Sequence, residues 1–91
     1  MKTHRERFTF LMPELFRING FTVMLYFRDH RPPHVHVFDA DGQAIVNLAL
    51  DGGAPTFREV RGMSTKGAVR ALRVVHEHNE RFLQEWSTIH G

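Results

Sequence analysis

His34-Val35-His36-Val37-Phe38 is followed by Asp39-Ala40-Asp41-Gly42 and then by Gln43-Ala44-Ile45-Val46-Asn47-Leu48-Ala49-Leu50. The first run alternates with period two, the second is a cluster of turn formers, and the third is again rich in aliphatic residues, which together make a β-hairpin signal. With Asp41-Gly42 as a two-residue type I′ turn, in which glycine accepts positive φ and aspartate tolerates it, the register follows by counting. Val37 then faces Val46 and Val35 faces Leu48 on one side, while Phe38 faces Ile45, His36 faces Asn47 and His34 faces Ala49 on the other. One face is aliphatic and the other carries two imidazoles.

Upstream, Phe21-Thr22-Val23-Met24-Leu25-Tyr26-Phe27 is β-branched and aromatic, follows the breaker Asn19-Gly20, and runs into the polar loop Arg28-Asp29-His30-Arg31-Pro32-Pro33. Downstream, Gly52-Gly53-Ala54-Pro55 breaks the pattern and Phe57-Arg58-Glu59-Val60 reads as a short edge strand. Ser64 or Thr65 suits the N-cap of a helix in which Ala68, Val69, Leu72, Val75, Phe82, Leu83 and Trp86 fall within an arc of about 140°. A continuous helix from Ser64 to His90 would be ~40 Å long, so its C-terminal end is expected to overhang or fray in so small a domain. His76 and Asn79 fall inside the apolar arc and are expected at its rim or bonded to a loop, and Trp86 is expected as a core or interface anchor. The aliphatic side of the hairpin is the surface this stripe needs, which turns His34 and His36 to the opposite face. Phe38 and Ile45 share that second face, and the Phe8-Thr9-Phe10-Leu11 segment or a second copy of the chain is expected to cover them. The expected fold is α+β, a small antiparallel sheet of three to four strands packed on one long C-terminal helix.

At 91 residues the chain has room for one core. Apolar content of 42% and charged content of 24% are those of a globular protein, and no apolar run reaches the ~18 residues of a membrane span or the form of a signal peptide. The chain has no cysteine, which excludes disulfides and thiolate zinc sites and accords with a cytoplasmic setting. Lys2, Arg5 and Arg7 against Glu6 account for the net charge of +2, so basic and acidic residues balance from Phe8 onward. Any basic surface must arise by local segregation.

Asp29-His30-Arg31-Pro32-Pro33-His34-Val35-His36 brings three histidines and an aspartate into eight residues. Residues two apart on a strand share a face and lie ~6.5–7 Å apart, so His34 and His36 can converge on one divalent metal ion with His30 or Asp29 as a third ligand. Three ligands with an open position are the arrangement of a catalytic metal, and Arg28 or Arg31 can hold a phosphate beside it. Two other readings stand beside that one: imidazoles that simply hydrogen-bond loop carbonyls, and acid–base chemistry without metal. A second constellation is Arg58, Arg61, Lys66, Arg70 and Arg73 against the single acid Glu59. Lys66, Arg70 and Arg73 form one helical stripe beside the helix N-terminus, where the macrodipole disfavours cations by ~0.3–1 kcal/mol each. A nucleic-acid backbone or an acidic protein would offset that cost, although such stripes are most often solvated faces. Phosphate loops, serine elbows and carboxylate pairs are absent from the sequence.

Asp29-His30-x-Pro32-Pro33-His34-x-His36-Val37 after an aromatic strand resembles the motif of the domain of unknown function 4160 family, small and mostly prokaryotic proteins. The resemblance extends to Met12-Pro13, to Arg17-Ile18-Asn19-Gly20-Phe21, to the strand after Asp41-Gly42 and to Leu83-x-x-Trp86, and so covers roughly Met12 to Trp86. It implies a single α+β domain over 12–91 preceded by an N-terminal extension over 1–11. Gln43 stands where relatives frequently carry an acidic residue. The resemblance implies no reaction, but it implies a small partner protein, in gene pairs that look like toxin–antitoxin cassettes.

Two functions are therefore expected as alternatives. The first is a non-enzymatic, cytoplasmic binding module that acts with a small partner protein, in a toxin–antitoxin-like pair, and uses the open sheet face and the Arg58, Arg61, Lys66, Arg70 and Arg73 surface, with nucleic acid or a second copy as further partners and no membrane. The second is a metal-dependent phosphodiester hydrolase with His30, His34 and His36 as ligands, Asp29 in reserve, and Arg28 and Arg31 on phosphate.

Overall fold

Asn19 and Gly20 both adopt positive φ, 50° and 84°, the combination that a two-residue type I′ turn demands and that Asn-Gly supplies at least cost. They join β1 (Glu14–Ile18) to β2 (Phe21–Leu25), with Ile18 opposite Phe21. The computed structural model describes residues 14–90, so the expected extension over 1–11, Met12-Pro13 and the covering segment Phe8–Leu11 lie outside the described residues. Three more strands follow, β3 (His34–Phe38), β4 (Gln43–Asn47) and β5 (Thr56–Arg61), and the five form one antiparallel meander in chain order. The sheet is thus larger than the three to four strands expected, because the Asn19-Gly20 breaker is itself a hairpin turn with a strand on either side.

The β3–β4 hairpin is displaced by two residues from the expected register. Phe38 lies opposite Gln43, Val37 opposite Ala44, His36 opposite Ile45, Val35 opposite Val46 and His34 opposite Asn47. Asp39 is the cause. Its Oδ1 accepts from the N–H groups of Asp41 (2.8 Å) and Gly42 (2.9 Å), and its own N–H donates to the Gly42 carbonyl at 3.0 Å, which closes a four-residue loop. Neither Asp41 nor Gly42 has positive φ. Gly42 is needed for a different reason: a β-carbon there would collide with the Arg61 carbonyl and the Met63 nitrogen, where the loop passes the end of β5. Because the displacement is an even number of residues, every side chain keeps its face. Val23, Val35, Val37, Ala44 and Val46 are fully buried on one side of the sheet, and His36, Phe38 and Ile45 are half-buried on the other.

The single long helix is two. α1 (Thr65–Glu77) starts at the cap Ser64, whose Oγ accepts from the Gly67 N–H at 3.0 Å. It ends at His78, and α2 (Asn79–His90) sets off from there. The break lies where Asn79 clasps the segment after β4: its Oδ1 accepts from the Ala49 N–H at 2.8 Å and its Nδ2 donates to the Ala49 carbonyl at 2.9 Å. Asn79 is thus bonded to a loop as expected, and it makes these bonds as the first residue after the helix break at His78. The two helices also choose their buried sides separately. Ala68, Ala71, Val74 and Val75 of α1 and Phe82 and Trp86 of α2 are buried, Leu72 and Leu83 are partly so, and Val69, placed in the core by the assumption of one straight helix, is 48% exposed. Each large side chain fully removed from water contributes roughly 1.5–3 kcal/mol, so the sheet–helix interface carries the fold. Among the described residues no helix is long and apolar enough to cross a membrane.

Replacing Asn79 by Ala leaves both peptide groups of Ala49 without partners. It is expected to lower stability by about 1–3 kcal/mol, seen as a lower urea midpoint at unchanged slope; an unchanged midpoint would show that the clasp carries no stability.

Candidate metal centre

β2 ends at Leu25, and the chain turns back at once, with the Asp29 N–H donating to the Tyr26 carbonyl at 3.1 Å. The turn aims the Asp29 carboxylate at the start of β3. Pro32 and Pro33 follow, the Arg31–Pro32 bond being cis, and lead into His34. Asp29 Oδ2 lies 2.9 Å from His36 Nε2 and 3.2 Å from His34 Nε2. Donor atoms of all three residues lie within 4.8 Å of one another. Two ligand atoms about 2.0–2.1 Å from one ion at the tetrahedral angle stand ~3.3 Å apart, close to the separations that Asp29 makes with each ring.

The tautomers give the arrangement its meaning. His34 Nδ1 lies 2.9 Å from the Pro32 carbonyl, which can only accept, so Nδ1 carries a hydrogen. In the neutral ring Nε2 is then a lone pair facing a carboxylate oxygen at 3.2 Å. Two acceptors in contact need a cation between them, either a second ring proton or a metal ion. Burial works against the proton: the side chain is 4% exposed, and desolvation holds the His34 pKa below its ordinary value despite the raising effects of the Pro32 bond and Asp29, with Arg58 and His36 adding to the depression. A metal ion needs the neutral ring, and an Nδ1–H bonded to a backbone carbonyl is how protein zinc sites orient their histidines. Tyr26, whose own pKa is raised by burial and then by Asp29, sets its ring edge-on against His36 with centroids 4.8 Å apart.

His34 departs from the expected exposure. It shares a strand face with half-buried His36, yet it is 3% exposed and its ring packs 5.3 Å from that of Trp86 in α2. The second helix closes one side of the cluster, and an unbroken helix would not have been bound to do so. Arg58 was grouped with the helix bases but belongs here: its Nε donates to Asn47 Oδ1 at 3.0 Å and its Nη2 to the Pro32 carbonyl at 3.2 Å, the carbonyl that also holds His34. Asn47 itself stands opposite His34, not opposite His36 as the counted register had it. Tyr26 and Trp86 are the residues of this site that sequence reading did not assign to it, and of these Trp86 alone had a signal, in the Leu83-x-x-Trp86 pattern, while Asn47 was placed beside a histidine but the wrong one.

The remaining candidates lie apart from this cluster. His30 and Arg31 are exposed and outside it, and the exposed Arg28 places its guanidinium 5.5 Å from the Phe27 ring. Arg61 is ion-paired with Glu59. Lys66, Arg70 and Arg73 are exposed on α1, on the opposite side of the sheet from His36, and form no ion pair among the described residues. The proposed base constellation is thus divided by the sheet. At the start of α1 the Asp39 Oδ2 lies beside Gly67, a carboxylate at the positive end of the helix that offsets the cost of placing Lys66 there.

A family model for a domain of unknown function (DUF4160) matches residues 20–87. The chain belongs to the DUF4160 family. The DUF4160 match takes in Asp29, His34, His36, Arg58 and Trp86, hence the whole cluster, and begins after β1. No curated protein and no solved structure matches the chain.

Burial lowers the His34 pKa in the folded chain, whereas an unfolded histidine binds a proton at about pH 6.5. The unfolded state therefore takes up the extra proton as pH falls, and stability present above that pH is lost below it. For metal-free protein, urea denaturation across this range should show a steeper acid loss in the native sequence than in His34→Gln, and equal slopes would contradict a neutral buried ring.

Proposed function

We propose that the chain is a metal-dependent phosphodiester hydrolase of the cytoplasm, with Asp29, His34 and His36 as the ligands of one divalent ion, nitrogen and oxygen donors that suit zinc as well as other divalent transition metals. The observation that supports this reading is the contact between His34 Nε2 and Asp29 Oδ2, in which a buried ring whose Nδ1 already donates to the Pro32 carbonyl turns its other nitrogen to a carboxylate oxygen. Three ligands leave a coordination position open. The ion, when bound, supplies Lewis acidity toward a phosphoryl oxygen and lowers the pKa of water to near 7. The chain's own residues do the rest. The Pro32 carbonyl fixes the His34 tautomer, Tyr26 restrains the His36 ring, Trp86 keeps water from one side, and Arg58, beside the cluster, offers a fixed positive charge to a substrate phosphate.

Untagged protein reconstituted with zinc should retain one equivalent after gel filtration and hydrolyse bis(p-nitrophenyl) phosphate. His34→Ala and His36→Ala should each weaken metal affinity by more than the ~10–100-fold that second-shell changes cost. Failure to retain zinc, nickel or manganese would sink the metal centre, and retention without turnover would sink the hydrolase.

A second reading is a binding module acting with a small partner protein in a toxin–antitoxin-like pair and contacting nucleic acid. Its support is the Lys66, Arg70 and Arg73 stripe, exposed and unpaired among the described residues. If that stripe binds duplex phosphates, Arg70→Ala combined with Arg73→Ala should reduce the slope of log affinity against log salt by about two. An unchanged slope would remove the stripe from nucleic-acid binding.

A further inference from the structure

Among the described residues β5 is an edge strand, and the phase of its hydrogen bonds can be followed from the hairpin inward. Asp39 N–H to Gly42 O and Leu48 N–H to Pro33 O mark the bonded pairs of β3 and β4. By alternation, Ala44 and Val46 turn their peptide groups to β3, and Gln43, Ile45 and Asn47 turn theirs to β5. Across the next register, Arg61 lies opposite Gln43, Glu59 opposite Ile45 and Thr56 opposite Asn47, so these three face β4 and the peptide groups of Phe57 and Val60 face outward. The register shift between Ile45 and Val46 inserts Arg58 as an extra residue. The outward donors and acceptors are therefore three residues apart, not two.

A regular strand, with its period of two, cannot meet both outward positions. A second β5 running antiparallel has the same three-residue spacing and can. That pairing sets Phe57 opposite Val60 of the other copy and Arg58 opposite its Glu59, each twice about the two-fold axis, with Thr56 opposite Arg61 at the ends. The faces agree as well. Phe57 and Val60 pair with Val46 and Ala44 and so lie on the helix-bearing side, where they are 40% and 42% exposed; Glu59 pairs with Ile45, and Arg58 reaches Asn47, on the other side. Apolar residues thus meet apolar ones, and Arg58, bonded within its own copy to Asn47 and the Pro32 carbonyl, comes opposite a Glu59 that is paired with Arg61, so that no like charges oppose where bulges and charges ordinarily protect an edge from pairing. We infer that β5 is the interface of a symmetric homodimer, formed by a second copy of this chain and specified by the Arg58 bulge.

Sedimentation equilibrium of the full chain is the test. The native sequence should show a concentration-dependent dimer, and Val60→Lys, at a position already exposed, should leave a monomer with unchanged circular dichroism. Arg58→Glu and Glu59→Arg should each weaken the dimer about tenfold by setting like charges opposite one another twice, and the doubly exchanged chain should recover native affinity. A monomer at all concentrations, a dimer indifferent to Val60→Lys, or single exchanges not rescued by the double would each overturn the proposal. Zinc retention by the monomeric Val60→Lys chain reads the metal centre separately, so either idea can fail alone.

Discussion

β3 gives this protein one backbone for two purposes. Val35 and Val37 anchor the core against the helices, and the residues between and before them, His36 and His34, meet the Asp29 carboxylate. Because successive side chains of a strand point to opposite faces, any force that seats the valines also sets the azimuth of the imidazoles. The site is therefore positioned by the hydrophobic effect acting on its neighbours. Only the final separation depends on polar contacts, those of Pro32 and Asp29.

This division explains what could be read from the sequence. Period two survives a register error of two residues, so the faces of β3 and β4 were legible even though the pairing partners were not. The partners depended on the Asp39 side chain claiming two loop N–H groups, a local bond that competes with the Asp-Gly turn preference and wins here. The convergence of His34 and His36 was legible from spacing, but the third member was left between His30 and Asp29, and only the turn after Tyr26 brings Asp29 to the two rings. The burial of His34 was not legible, because it depends on Trp86, which reaches the ring only after the chain breaks at His78. Nor was the place of Arg58: an inserted residue in an edge strand leaves no periodic trace, and its charge looked like the start of the helical stripe.

The sheet separates two surfaces of different chemistry. One side holds the carboxylate, the imidazoles and Arg58; the other carries Lys66, Arg70 and Arg73 on a helix, with Arg70 lying 5.8 Å from the Phe21 ring. A single extended anion can touch both only by passing around an edge. The hydrolase reading and the nucleic-acid reading thus concern separate places on the molecule, and neither supports the other.

The Asn79 clasp has a reach beyond its two hydrogen bonds. α2 is tied at its first residue to the strand exit at Ala49 and delivers Trp86, two turns later, to the wall of His34. The burial of that imidazole, which lowers its pKa, is governed by a joint at the far end of a rigid rod. The amide, the indole and the imidazole thus form one mechanical unit: a change at the joint would wet the ring without touching it.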